Sequence, residues 1–442
     1  MHGEVKRKQS RDRIPDWSPV MRTLAIGAAW IAAVAAGMAQ APRVIPRPPV
    51  QNPQTPAAEV GSIAPDGYSP IPQWAGQTRA PVPAKTASFE VQTVASGLMG
   101  GFGFHFLPDG RILVSERPGR LRIVEKDGRL SAPIADLPRL LAGGPQGLFD
   151  VIPDKDFVRN RVLYLDYTSA PEGRGPADPP QRLAGILMVA RARLSADDKR
   201  LEDLKVLLNA EGIGGRLIQA RDGTLLVTSS IPAGVGINSS DWPQPQQLDS
   251  LMGKVLRINT DGSIPTDNPF AGRSGARAEI YALGLRDDQG LAIHPRSGKL
   301  WASEHGPRGG DEINVIDKGR NYGFPVIGYG HEYNGKPINE DRTAQEGMEQ
   351  PVYFWTPDIA PAGIAFYTGK LFPAWQGDLF VAALAGKHLV RLVLSGERVV
   401  AEERLLVNLN QRIRGVQQGP DDALYVMTDG NDGKILKLVP RK

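Results

Sequence analysis

The sequence predicts an all-β fold, and within that class a six-bladed β-propeller. Fifty glycines and 38 prolines among 442 residues supply many turns. From about residue 87 onward, short apolar or alternating runs of strand length recur between Asp-Gly and Pro-Asp turns, with almost no run of helical period. In addition, one phrase of turn, strand and polar link occurs four times.

Each copy of that phrase places an apolar strand between a tight turn and an acidic or polar end. The copies are "LPDGRILVSERPGRLRIV" from Leu107, "ARDGTLLVTSS" from Ala220, "HPRSGKLWASEHGPRGG" from His294 and "GPDDALYVMTDGNDGKILKL" from Gly419. Such repetition is typical of propeller blades, whose inner strands deliver their ends to a central channel. With about four strands per blade, residues 87–442 predict six blades. An array of β-sandwiches explains the strands but not the repeated phrase.

Composition restricts the possible functions. A chain with 41% hydrophobic and 23% charged residues can bury a full core. The net charge is only +4, and the basic residues are scattered among acids, so nucleic acid is not an expected partner. The absence of cysteine excludes disulfides, thiol catalysis and cysteine-ligated zinc.

Residues 1–41 are predicted to be an N-terminal lead and a secretory signal. A basic lead precedes the alanine-rich apolar run that starts at Met21 and ends in small residues. A membrane span needs about 20 strongly apolar residues, so no stable span is expected after signal removal. We therefore expect a periplasmic or secreted protein. An uncleaved anchor and a translation start at Met21 remain alternatives.

Residues 42–86 are proline-rich and have no apolar periodicity, which predicts a flexible, partly polyproline spacer. The propeller then occupies residues 87–442. Within it, the segment "SEHGPRGGDEINVIDKGRNYGFP" from Ser303 to Pro325 combines glycines, acids, bases and a histidine. That mixture indicates a loop whose backbone holds a ligand.

This segment, together with "YALGLRDDQGLAIHPRSGKLW" and "GLMGGFGFHFLPDGRILVSERPGRLRIV", resembles the soluble glucose/sorbosone dehydrogenase family, which includes bacterial aldose sugar dehydrogenases. The resemblance extends from residue 87 to the C-terminus. It implies a six-bladed propeller that binds pyrroloquinoline quinone (PQQ) and calcium and oxidises sugars in the periplasm. It also implies an oxidoreductase acting on CH-OH groups, with a sugar substrate and a separate electron acceptor.

The resemblance also assigns roles to particular residues. Arg412 and Arg414 alternate along a predicted strand, so both project to one side, where two guanidinium groups can clamp carboxylates. The family uses this pair to contact PQQ. Arg286 matches an arginine beside the quinone carbonyls, where it would stabilise developing negative charge. The other matched positions are Gln146, His305 and Asp311 for the cofactor, and the backbone carbonyls of Gly306 and Pro307 for calcium.

Some positions differ from the family pattern. The family's general-base histidine corresponds to Gly212, its orienting acid to Ile231 and a cofactor-pairing lysine to Ala385. Glycine and isoleucine cannot move a proton, so the base must come from elsewhere if the chain is an active dehydrogenase. Asp241, in the polar loop after Ile231, is the first candidate.

Asp287 and Asp288, which follow Arg286, are the alternative sources of a base. The leading interpretation is therefore a PQQ- and calcium-dependent sugar dehydrogenase with a replaced base. Two others stay open. One is a catalytically silent propeller that binds a sugar or an envelope partner, and the other is a calcium-assisted lactone hydrolase.

Overall fold

The structure, a computed structural model, describes residues 68–143, 146–169, 185–231 and 243–441. The predicted signal segment and Asp241 lie outside these residues. The described residues form 25 strands and one short helix, α1 (Phe157–Asn160). Short 3-10 helices cover Gln244–Gln246, Asn339–Asp341, Pro373–Trp375 and Val407–Leu409.

No helix in the described ranges is both long enough and apolar enough to cross a membrane. The first strands in chain order are β1 (Phe89–Leu98), β2 (Gly101–Phe106), β3 (Ile112–Glu116), β4 (Arg120–Val124), β5 (Leu148–Pro153), β6 (Val162–Ser169), β7 (Ile186–Leu194), β8 (Leu201–Ala210), β9 (Leu217–Gln219), β10 (Leu225–Ser229), β11 (Lys254–Ile258) and β12 (Ile280–Leu283). The remaining strands are β13 (Asp288–Ile293), β14 (Leu300–Glu304), β15 (Arg308–Gly309), β16 (Asp311–Ile316), β17 (Gly330–His331), β18 (Tyr353–Trp355), β19 (Pro361–Phe366), β20 (Leu379–Ala383), β21 (His388–Ser395), β22 (Arg398–Leu405), β23 (Ile413–Gln418), β24 (Leu424–Thr428) and β25 (Gly433–Pro440).

Twenty-three of these strands form six antiparallel blades, which confirms the predicted six-bladed propeller, and β15 and β17 form a separate two-stranded sheet. From the inside outward, the blades are β2-β3-β4, β5-β6-β7-β8, β9-β10-β11-β12, β13-β14-β16-β18, β19-β20-β21-β22 and β23-β24-β25-β1. The innermost strands contact one another in ring order. The last blade closes the ring because β1, from the N-terminal side, pairs with β25 from the C-terminus. The first blade has three strands in its sheet, one fewer than expected.

The core lies between the blades. Six large apolar clusters each draw buried residues from two neighbouring blades. This follows from strand geometry, since alternate side chains leave each sheet on opposite faces and meet the next blade. The channel is consequently bordered by the innermost strands and by the side chains at their ends.

The repeated phrase forms the second strand of four blades and not the innermost strand. Each copy opens with the turn from the innermost strand. At residues 107–111, Gly110 donates to Leu107, Leu107 donates to Arg111, and the Asp109 carboxylate accepts from the Arg111 amide. Gly110 has φ +88°, which glycine adopts without strain. The turn that starts at Ala220 repeats these contacts.

Residues 68–86 do not behave as the flexible spacer that was expected. Tyr68 is buried and stacks on His331 with a centroid distance of 4.0 Å. Gln77 is also buried, and its side chain donates to the Pro351 carbonyl at 2.9 Å. Proline-rich composition hid these anchors, because single aromatic and amide contacts carry no periodic signal. The ordered unit therefore begins before residue 87.

Candidate functional site

The upper end of the channel, defined here as the end where the six innermost strands begin, gathers most of the expected site residues. Second strands run antiparallel to the innermost ones, so they finish at this end. Two of them use the same device. The Glu116 carboxylate accepts from the Met99 amide at 2.7 Å, and Glu304 accepts from the Arg286 amide at 2.6 Å. These buried acids fix the chain just before each innermost strand.

Arginines cluster at the upper end around one carboxylate. Asp429 follows β24, and its Oδ2 lies 3.2 Å from Arg412 Nε and 3.5 Å from an Arg414 amino group. The expected arginine pair therefore faces a common point. Burial would raise the pKa of Asp429, but the guanidinium groups of Arg414, Arg412 and Arg117 outweigh burial and lower it. The single carboxylate of Asp429 is thus the shared counter-charge of three guanidinium groups.

The cluster has more positive charge than its protein partners neutralise. Burial lowers the pKa of Arg414 to about 9, against the opposing effect of Asp429, and the nearby arginines lower it further. Among the described residues, the buried Nε atoms of Arg117 and Arg414 have no hydrogen-bond partner. Buried donors are almost always paired, so two orphaned guanidinium nitrogens point to a missing acceptor. An anion is the natural acceptor.

Arg216 closes the channel below this cluster. Its guanidinium donates to the carbonyls of Gln289 at 2.7 Å, Phe102 at 3.1 Å and Arg414 at 3.3 Å. One amino group also lies 3.8 Å from Asp150 Oδ2. These partners belong to β13, β2, β23 and β5, so a side chain that precedes β9 ties four other blades together. Arg216 is only 7% exposed.

The glycine-rich loop after β14 is shaped by Asp311. This side chain is 1% exposed, and one oxygen accepts from the Gly306 amide at 2.9 Å. The other oxygen accepts from the amides of Ile359 and Ala360, both at 2.7 Å. The carboxylate of Asp311 is therefore engaged with backbone from two loops. It braces the loop from within.

Arg286 lies across that loop. Its guanidinium donates to the carbonyl of His305 at 2.9 Å and to the carbonyl of Gly306 at 3.2 Å. The loop thus already holds a cation with backbone oxygens. The guanidinium carbon also lies 5.8 Å from the ring centroid of Tyr333, a half-exposed side chain at the mouth of the site.

His305 and Asp287 lie side by side at the same end. Their Nδ1 and Oδ2 atoms are 3.6 Å apart, and the other Asp287 oxygen accepts from Gln289 Nε2 at 2.6 Å. Burial lowers the pKa of His305 to about 4, so the imidazole is neutral at pH 7. The side chain of Asp287 is 20% exposed. It is therefore accessible to a small molecule, whereas its neighbour Asp288 is buried.

Beneath Arg286, three acids form a row across neighbouring strands. Asp288 pairs in register with Glu304, and Glu304 pairs with Glu312. Asn314 donates to both glutamates, at 3.2 and 3.1 Å. Burial raises the pKa of Glu312 to about 7, and burial followed by like charges raises those of Asp288 and Glu304 well above their usual range. Burial thus disfavours the ionised form of each acid in the row.

Gly212 leaves no space for a side chain. Its φ is +98°, and a Cβ there would lie 2.7 Å from the Ser230 carbonyl oxygen and 3.0 Å from Ser229 Oγ. The neighbouring chain is fixed by reciprocal backbone hydrogen bonds between Ile213 and Ser230. A histidine cannot occupy this position without movement of the backbone. Glycine has no side chain, so position 212 itself offers no proton acceptor.

The remaining expected residues lie near this site with different roles. Gln146 precedes β5 at the upper end and exchanges backbone hydrogen bonds with Gly143. Pro307 lies in the braced loop. In the described ranges, no three histidine, aspartate or glutamate side chains converge on a point that could hold a metal ion.

Sequence reasoning missed four residues: Arg117, Arg216, Tyr333 and Asp429. A usable signal existed for two of them. Arg117 and Asp429 each follow directly after the second strand of a blade, as His305 does after β14. The repeated phrase marked those strands. Within these copies, the residue that directly follows the strand is therefore a sequence signal for a position at the upper end of the channel.

A β-propeller with a partly unpaired arginine cluster beside a carbonyl-lined loop defines a class of ligand-binding propellers. Within that class, a sequence match to the Glucose / Sorbosone dehydrogenase family spans residues 98–437, and the chain belongs to this family. Membership confirms the resemblance in the motif around residues 303–325.

Individual relatives agree with the family match. The aldose sugar dehydrogenase YliI of Escherichia coli is 39% identical over 368 residues, which cover 81% of this chain and 95% of that protein. The crystal structure of the apo-form of the E. coli aldose sugar dehydrogenase has a TM-score of 0.73 and 37% identity, covering 80% of this chain and 100% of that one. The expected enzyme class, a sugar-oxidising oxidoreductase, is confirmed by these relatives.

A second structure was solved with the cofactor. The PQQ-bound aldose sugar dehydrogenase of Streptomyces coelicolor has a TM-score of 0.64 and 27% identity, and the comparison covers 81% of this chain and 100% of that one. The family of PQQ-dependent aldose sugar dehydrogenases is therefore the family of this chain.

Proposed function

We propose that this protein is an exported quinoprotein that binds PQQ and calcium at the upper end of its channel and oxidises aldoses. The observation that carries the proposal is the arginine cluster with its two orphaned guanidinium nitrogens. Buried guanidinium nitrogens without hydrogen-bond acceptors are unfavourable, so a ligand with several negative charges would stabilise the cluster.

PQQ fits the cluster because it is a planar tricarboxylate. Arg412, Arg414 and Arg117 would bind its carboxylates, and Arg286 would lie beside its quinone oxygens. Gln146 is a further hydrogen-bonding candidate at the same end. When bound, the quinone supplies the two-electron acceptor for the sugar. Asp311 would support the loop and not touch the cofactor, since both of its oxygens are already engaged.

Calcium fits the loop that holds Arg286. Backbone carbonyls are suitable calcium ligands, and the carbonyls of His305 and Gly306 already accept from a guanidinium cation. Gly306 and Pro307 would supply oxygens to the ion. The guanidinium of Arg286 would then turn toward the anionic cofactor. Such an exchange replaces one cation by another and leaves the loop backbone in place.

A base is still needed to remove the proton from the sugar hydroxyl. Of the two acids next to Arg286, Asp287 is accessible and Asp288 is buried in the row beneath. Asp287 would accept the hydroxyl proton while Arg286 stabilises negative charge. Asp241 remains the other candidate for this role. In either case Gly212 replaces the family's histidine.

Catalytic silence is the second candidate function, and the conformation of Gly212 favours it. With φ +98° and the Ser230 carbonyl oxygen against it, this position cannot accept a histidine unless the backbone moves. A silent protein would keep the arginine cluster and bind the same ligands without turnover. The predicted signal would carry either form to the periplasm or outside the cell.

Reduction of an artificial dye by protein loaded with PQQ and calcium, across a panel of aldoses, tests the proposal. We expect aldose-dependent reduction that falls at least tenfold in Asp287→Asn or in Asp241→Asn, whichever residue is the base. The matched control is Asp136→Asn, an exposed acid between β4 and β5. Binding of PQQ without any aldose-dependent reduction would contradict the enzymatic function and favour the catalytically silent propeller.

A further inference from the structure

A second cavity lies at the lower end of the channel, where the innermost strands finish. Its volume is about 440 Å³, and residues from the last positions of all six innermost strands line it. Cavities of this size hold small organic molecules in other proteins. Nothing in the arginine cluster explains it, since it lies at the opposite end of the strands.

Arg216 separates this cavity from the arginine cluster. Its guanidinium crosses the channel to the second residues of β2, β13 and β23, and its side chain also forms part of the cavity lining. A ligand at the lower end would therefore meet Arg216 from below. The two compartments are built from the same strands and lie on opposite sides of the Arg216 guanidinium.

The lower cavity contains a fixed imidazole. His105 Nε2 lies 2.7 Å from Asp150 Oδ1, and the two residues belong to neighbouring innermost strands. Burial would raise the pKa of Asp150, but His105 and Arg216 outweigh it and lower the pKa, so this carboxylate is ionised and only accepts. Nε2 therefore carries the proton. The histidine side chain is 20% exposed, and its Nδ1 is left for a ligand.

The contact between His105 and Asp150 depends on the absence of a side chain at position 103. A Cβ on Gly103 would lie 2.1 Å from Asp150 Oδ1, so only glycine allows the carboxylate to sit beneath the histidine. An apolar side chain would fill the same volume without a buried charge. The arrangement is thus a built polar site in the wall of a cavity that is lined by both polar and apolar side chains.

Further polar groups face the same cavity. Gln417, from the sixth blade, lines it, and within the described ranges its side-chain amide forms no hydrogen bond. Lys155 lines the cavity at its exposed rim and donates to the Ala220 carbonyl. The titratable lining groups are His105, Asp150, Lys155 and Arg216. Asp150 offsets Arg216, so the ammonium of Lys155 leaves the lining positive.

We propose that the lower cavity is a binding site for a small hydroxy acid, a molecule with one carboxylate and several hydroxyls. A hydroxyl both donates and accepts, so it can pair with His105 Nδ1 and with the Gln417 amide. Lys155 would bind the carboxylate, and the aliphatic walls formed by residues such as Ile152, Ile364 and Val416 would cover the carbon chain. The site needs neither PQQ nor calcium.

Isothermal titration calorimetry of the full chain without PQQ tests the proposal, with gluconate as the probe. We expect gluconate to bind and glucose, its uncharged analogue, to bind at least tenfold more weakly. His105→Gln and Gln417→Ala should each weaken gluconate binding about tenfold. The control is Gln92→Ala, which removes an exposed glutamine on β1 and should change nothing. Circular dichroism would show that each variant is folded.

Three results would overturn the site. The first is no heat with gluconate, which would mean a water-filled channel. The second is equal binding of glucose and gluconate, which would exclude recognition of the acid. The third is loss of gluconate binding in Arg414→Met with no loss in His105→Gln or Gln417→Ala, because gluconate would then occupy the arginine cluster.

Discussion

The two ends of the channel treat buried charge differently, although the same six strands form both. At the lower end, Asp150 is matched by His105 and Arg216, and each partner is in contact with it. At the upper end, three arginines share Asp429, and two guanidinium nitrogens are left without partners in the described chain. Balanced charge holds blades together, whereas unbalanced charge indicates a ligand.

Substitution of Arg216 should produce the largest loss of stability. It tests whether the paired charges at the lower end hold the blades together. Arg216→Met would remove three hydrogen bonds to carbonyls and leave Asp150 with less counter-charge. Breaking a buried ion pair costs about 3–5 kcal/mol, so we expect the free energy of unfolding to fall by that amount in urea denaturation. Arg159→Met, at an exposed arginine, is the control. A loss below about 1 kcal/mol would contradict the role of Arg216 in joining the blades.

Substitution of Arg414 tests whether the excess positive charge at the upper end serves ligand binding and not stability. Because this cation is under-neutralised, Arg414→Met should leave the melting temperature unchanged or higher. The same change should weaken PQQ binding by about 100-fold, since hydrogen bonds to charged groups contribute about 1.5–3 kcal/mol each. Absorbance titration and thermal unfolding measure the two effects. A large loss of thermal stability would show that the arginine is structural, and the contrast between the two ends would fail.

Substitutions at Gly212 and Gly223 distinguish the cost of a left-handed backbone conformation from the cost of a steric clash. Gly212→His should lower the free energy of unfolding by about 2 kcal/mol or more, from a left-handed φ and a close contact with Ser230. Gly223→Ala is the matched control, because its φ is +92° and nothing lies within 4 Å of the added Cβ. In Gly223→Ala, the free energy of unfolding should fall only by the cost of the left-handed φ. Equal losses would mean that Ser230 yields easily, and a gain in aldose oxidation by the histidine variant would show that the vacant base can be restored.

The smallest expected effect comes from the acidic row formed by Asp288, Glu304 and Glu312. It is a dependence of thermal stability on pH. The folded-state pKa of Glu312 is raised to about 7, so its contribution is fully present below the unfolded value and is lost as pH rises through 7. Without calcium, we expect Tm to fall by about 2 °C between pH 5 and pH 8 from this residue. Glu312→Gln should reduce the slope, whereas Glu346→Gln, at an exposed acid, should not. An unchanged slope in the first variant would show that other groups control it.

The sequence alone predicted the blades because their signals are local. A turn such as the one at residues 107–111 is specified by neighbouring residues, and the alternation of the following strand is visible in the same window. The family motif likewise identified Arg286, Arg412 and Arg414 at the upper end. These predictions required no knowledge of which blades are neighbours.

Other features depend on contacts between distant segments and could not be predicted in this way. Arg216 reaches carbonyls of Phe102 and Arg414, which are more than 100 positions away from it. His105 and Asp150 meet only because β2 and β5 are adjacent in the ring. The anchors in residues 68–86, Tyr68 and Gln77, contact His331 and Pro351, which are distant in the sequence. Long-range pairing, not local propensity, decides all three.

The most direct test of the central claim is an absorbance titration of the apo-protein with PQQ, with and without calcium, alongside Arg117→Met. We expect saturable binding that is tighter with calcium and about tenfold weaker in the variant, since PQQ would lose one charged hydrogen bond from Arg117. The central claim would be contradicted by absence of PQQ binding under both conditions, or by binding that calcium and Arg117→Met leave unchanged.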